Sequence, residues 1–147
     1  MNGKELASIF EKQRKAMHKS IREIIPFLKS DTPWYFWKNG SHTIRFKDLF
    51  PVMKNLKMYF TYQGIILKLD KEKFVELIIK LRKKYKLTQR EVAERIGVKY
   101  SSISFFEKNG NRLKTDSILK LIEIYGIEIS YEEIDYFEEI KNEGKKI

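Results

Sequence analysis

The sequence predicts a mainly α-helical protein in two parts: a helical bundle over residues 69–147, and a small N-terminal α+β unit over residues 1–68 with an Asn-Gly β-hairpin. Three observations predict it. Between Leu87 and Gly110, two short amphipathic stretches flank a single glycine. The segments on either side carry apolar residues at helical spacing. Residues 31–46 change character, with aromatics flanking Asn39-Gly40, a short-range hairpin signal.

The Leu87–Gly110 stretch is the most informative. Thr88 caps a first helix, and Glu91, three residues on, completes a capping box. Val92, Ala93 and Ile96 form a narrow apolar stripe, and the small Ala93 lets a second helix cross close by. Gly97 follows the last apolar position, where a left-handed residue ends a helix at least cost. A second helix follows over about 99–108, with Ile103 and Phe106 facing inward and Asn109-Gly110 ending it. Two helices joined by a short Gly-containing turn form the helix-turn-helix pattern.

At these positions the chain resembles the Cro/phage-repressor-like, or XRE-type, helix-turn-helix family. The matching residues are Leu81-Arg82, Leu87-Thr88-Gln89, Val92-Ala93, Ile96-Gly97-Val98, Ser102-Ile103-Ser104, Glu107 and Leu119 to Leu121. The resemblance spans about residues 72–127, roughly a third of the chain. It implies a lambda-repressor-like bundle of four or five helices, whose third helix enters the DNA major groove. By that likeness Tyr100, Ser101 and Phe105 meet base edges, Lys99 stands at the helix entrance, and Ser104 shares the surface. Gln89 and Lys108 match backbone-contact positions, with Arg112 or Lys114 reaching a neighbouring phosphate. Arg90 joins them on charge alone. Arg82 and Glu107 are implied to form a buried ion pair, so with Ala93, Gly97 and Ile103 they are structural. The chain departs from stronger specifiers in one respect. The five surface residues include no Arg for guanine and no Gln or Asn for adenine, so modest specificity, or readout of DNA shape, is expected. Family members often carry Pro before the fourth helix, where this chain has Leu113 or Lys114.

Charge agrees with a polyanion partner. The net charge is +10, and residues 128–147 hold seven acids against three bases, so residues 1–127 carry +14. Double-stranded DNA bound by a homodimer is the expected partnership. There is no cysteine, no apolar run near the ~18 residues of a membrane span, and no signal-type apolar core after Lys4-Glu5. A cytoplasmic location without membrane contact is expected. His18 and His42 without cysteine make no zinc cluster, and no triad spacing, phosphate loop or calcium loop is found. The expectation is therefore no enzyme, no cofactor, no metal and no small-molecule ligand.

The remaining elements follow in order. Residues 3–29 read as one amphipathic helix on Leu6, Ile9, Phe10, Met17, Ile21, Ile24 and Leu28, ended or kinked by Pro26. Its lysines either solvate a face or lie along DNA. In the hairpin, Tyr35, Trp37, His42 and Ile44 share one face, and Trp34, Phe36, Thr43 and Arg45 the other. These aromatics either form a core or stack on bases. Trp37 to His42 with Ile44 and Lys47-Asp48-Leu49 also resembles a segment beside archaeal intein-type homing endonuclease domains, without their acidic cleavage motif. Residues 48–57 read as a helix with Pro51 in its first turn, and 59–62 and 65–69 as strands. Asp70 caps a helix reaching Tyr85, with Phe74, Leu77, Ile78, Leu81 and Tyr85 buried. Thr115 caps a fourth helix that Gly126 stops, and an acidic helix is expected over about 131–142.

Overall fold

The N-terminal unit begins with a cap. The computed structural model describes residues 1–111 and 113–132. Asn2 accepts from the Glu5 amide and starts α1 (Gly3–Ala16). The helix expected to continue to residue 29 stops there, because His18 turns to a φ of +55° and Ser20 opens α2 (Ile21–Ile24) with a reciprocal capping box to Glu23. That Ser-x-x-Glu signal stands in the sequence and competes with the longer apolar stripe.

The expected Asn39-Gly40 hairpin is not formed. Residues Thr32–Asn39 are α3, with Pro33 in its first turn and Gly40 as the left-handed C-cap at φ +81°. Trp34 and Trp37, three apart, fall on one helical stripe and are buried, while Tyr35 and Phe36 are exposed. Trp34 stacks on Phe10 with ring centroids 6.3 Å apart, and its indole N–H donates to the Glu11 carboxylate. Burial of two tryptophans against α1 outweighs the local turn preference of Asn-Gly. The type I′ hairpin lies elsewhere, at Gln63-Gly64, both at positive φ, between β1 (Met58–Tyr62) and β2 (Ile65–Leu67). Before them, α4 (Phe46–Asn55) begins two residues earlier than expected, which places Pro51 in its second turn.

Glu11 is buried and receives Trp34 and Arg14, with Lys15 and Lys38 nearby. Burial pushes its carboxyl up, but the hydrogen bonds from Arg14 and Trp34 and the positive charges outweigh this and hold it below the ordinary value of a glutamate. A carboxylate depressed on folding stabilises fully above its unfolded value and loses that contribution as pH falls through the folded one. The urea midpoint is therefore expected to drop below about pH 4.3. In Glu11→Gln the acid-side drop should be shallower, as followed by Trp fluorescence.

Asp70 accepts from the Lys73 amide and starts α5 (Lys71–Lys84). Then follow α6 (Gln89–Ile96), α7 (Tyr100–Asn109), α8 (Thr115–Tyr125) and β3 (Ile127–Tyr131). Tyr85, expected to be buried, is exposed and shares a 2.9 Å hydroxyl contact with Tyr62. Thr115 is not the cap of α8: it is the first helical residue after Lys114, and its hydroxyl donates to the Ile44 carbonyl. The strand β3 was not expected. It pairs antiparallel with β1, Phe60 opposite Ile129, giving the order β2-β1-β3. The expected acidic helix lies outside the described residues beyond Glu132.

The sheet and the core cross the boundary expected at residue 68. Phe46, Phe50, Phe60, Phe74 and Phe106 form one aromatic cluster, with Phe46 5.5 Å from Phe74 and 5.6 Å from Phe106. At the other end, Asp116 accepts from the Gly3 amide and from the Thr43 hydroxyl. The N-terminal unit thus packs behind α7 and against the start of α8.

Candidate nucleic-acid interface

The geometry starts at the turn between α6 and α7. The Thr88 hydroxyl accepts from the Glu91 amide at 3.1 Å, and the Glu91 carboxylate accepts from the Thr88 amide at 3.2 Å. Gly97 adopts φ +74°, and the Val98 amide donates back to the Ala93 carbonyl. A β-carbon at Gly97 would meet no atom within 4 Å, so it is the left-handed φ of the turn, and not crowding, that calls for glycine there. Val92, Ala93 and Ile96 are buried beneath it, as are Ile103 and Phe106 on α7.

With those two residues inward, the N-terminal half of α7 faces solvent. Lys99 and Ser101 are exposed, Tyr100 is 47% exposed, and Ser104 and Phe105 are half-buried. Arg90, at the start of α6, places its guanidinium 5.2 Å from the centre of the Tyr100 ring. Arg90 is exposed as well, so the contact leaves its edge open while it holds the tyrosine in place. Gln89 is half-buried beside it, and Lys108 and Lys114 are exposed. Arg112 is outside the described residues.

An ion pair fixes α7 from behind. Arg82 donates to both carboxylate oxygens of Glu107 at 2.8 Å, and to the Leu87 carbonyl at 3.0 Å. The side chains are only 14% and 6% exposed. The bond to Glu107 raises the guanidinium's already high pKa further, so Arg82 stays charged. Tyr125 lies nearby, and burial pushes its hydroxyl up to about 12.

Sequence reasoning missed one feature. Ser41, His42, Thr43 and Arg45 line a groove of about 680 Å³ together with Lys114 and Thr115. The two sides are joined by the Thr115–Ile44 hydrogen bond across 71 residues. No local signal links them, because the loop reaches α8 only through the packing of α1 and α3.

Two helices crossed at a left-handed glycine, the second locked inward and open outward at its N-terminal half, define a helix-turn-helix domain. Comparison with known families agrees: residues 78–131 match the family model described as helix-turn-helix, of the Cro/C1 type, whose members bind double-stranded DNA. No curated protein and no solved structure matches the chain. No helix of the described residues is long and apolar enough to cross a membrane.

Proposed function

We propose that the protein is a DNA-binding transcriptional regulator that inserts α7 into the major groove, acting as a homodimer in the cytoplasm. The carrying observation is the open Lys99–Ser101 edge of α7 inside a segment that matches the helix-turn-helix family. On this reading Tyr100, Ser101, Ser104 and Phe105 meet the bases, with Lys99 at the entrance. Gln89 and Lys108 meet phosphates, Arg112 or Lys114 reaches a neighbouring one, and Arg90 orders Tyr100 and reaches the backbone with its free edge. Single hydroxyls and aromatic faces discriminate less than bidentate pairs, so DNA shape carries much of the selection. A symmetric dimer places its half-sites about one helical turn apart.

A rival reading is a protein-interaction or antitoxin-like module, or a DNA-binding accessory derived from a mobile element. Half-buried Phe105 beside exposed Tyr100 favours the first of these. Phe106 contributes to neither, because it is buried in the core rather than available as a contact. Fluorescence anisotropy of genomic duplexes at two salt concentrations tests the proposal. Affinity is expected to fall with salt at a slope of about −0.9 per phosphate neutralised. Binding to no duplex, or binding indifferent to salt, overturns it.

A further inference from the structure

The groove beside Lys114 has its other wall in the N-terminal unit, on the loop from Ser41 to Arg45. None of the described residues that line it is acidic. His42 and Thr43 also line a second groove, of about 400 Å³, whose far wall carries Lys4 and Lys120. The two grooves are therefore adjacent, and Lys114, Arg45, His42, Lys4 and Lys120 follow one another along them, all exposed. Among the described residues Lys4, Lys114 and Lys120 have no carboxylate within 4.0 Å.

The acids beside this strip are tied inward. Asp116 is half-buried and accepts from the Gly3 amide and the Thr43 hydroxyl. Asp48 is buried and accepts from Arg45 Nε at 3.3 Å, while the Arg45 side chain remains 66% exposed. The loop itself is pinned: the His42 amide donates to the Phe36 carbonyl at 3.2 Å, and Thr115 holds the Ile44 carbonyl. A row of exposed cations on a fixed support, with none of them buried to enclose a single small anion, suits a regularly spaced polyanion. We infer that the DNA backbone reaching Lys114 continues along this strip, past Arg45 and His42 to Lys4 and Lys120, a placement that rests on the reading of Lys114 as a phosphate contact. Phosphates of one strand recur every ~3.4 Å along the duplex axis, so a strand held at Lys114 presents its next phosphates to the opposite wall. The N-terminal unit then lengthens the bound site and fixes its register, without reading bases.

The test is the salt dependence of duplex affinity, measured with the full chain on a genomic duplex that the parent binds. Lys4→Ala with Lys120→Ala is expected to make the slope of log affinity against log salt shallower by about two units, and Arg45→Gln by about one. Lys54→Ala with Lys68→Ala removes the same charge from exposed positions outside both grooves and should keep the parent's slope. Urea midpoints of the lysine variants should match the parent's, because these side chains are exposed and unpaired. A parental slope in either groove variant overturns the inference, and so does an equal change in the Lys54, Lys68 variant. Those outcomes leave the helix-turn-helix reading standing, since the parent still binds. A parent that binds no duplex fails that reading, and this inference with it.

Discussion

Replacing Glu107 with alanine is expected to destabilise the protein by about 3–5 kcal/mol, because it leaves the Arg82 guanidinium buried without its counter-charge. The pair is bidentate at 2.8 Å and almost shut off from water, so solvent cannot substitute for the lost carboxylate. The remaining hydrogen bond, to the Leu87 carbonyl, satisfies one donor but no charge. The urea midpoint should fall with an unchanged slope, showing that stability and not compactness has changed. Replacing both partners by apolar residues of similar size, Arg82→Met with Glu107→Leu, should recover most of the loss or all of it. A Glu107→Ala protein as stable as the parent would mean that the pair does not hold the first and third helices of the domain together.

Changing Tyr100 and Phe105 to alanine together is expected to weaken duplex binding about tenfold, since it removes two base-edge contacts that are each weaker than the ~1–3 kcal/mol of a bidentate pair. Fold stability should change far less, because Tyr100 is half in water and Phe105 only half-buried. The salt slope should persist, as the phosphate contacts remain. Lys108→Ala should do the converse, reducing the slope by about one unit and weakening all sequences alike. Release of Arg90 from the Tyr100 ring offsets part of the loss in the double variant, so Arg90→Ala with Tyr100→Ala should bind more weakly than Tyr100→Ala alone. Unchanged duplex affinity in the Tyr100, Phe105 variant would favour the interaction-module reading.

These two expectations rest on parts of the chain with different legibility. Everything between Thr88 and Gly110 is local chemistry: a capping box, an apolar stripe of period 3.6, and two left-handed glycines at helix ends. Each acts within a few residues, so the order of α6, the turn and α7 could be read directly. The same holds for Asp70 at the start of α5 and Gly126 at the end of α8. The Arg82–Glu107 pair is not local, and the resemblance to a known family supplied it.

Where local signals conflicted, the tertiary structure decided. Asn39-Gly40 suits a hairpin turn as well as a helix end, and only the burial of Trp34 and Trp37 against α1 selects the helix. Gln63-Gly64 makes the tighter turn because β1 finds β3, 69 residues after it begins, to complete a sheet. The placement of the N-terminal unit behind α7, through Phe46 on Phe106, has no trace in sequence spacing. By itself the sequence determined which helix is presented and which residues stand on its open edge, since caps and periodicity act over a single turn. What supports that helix from behind was decided by long-range burial of aromatic surface, whose free energy belongs to partners that meet only once the chain has folded.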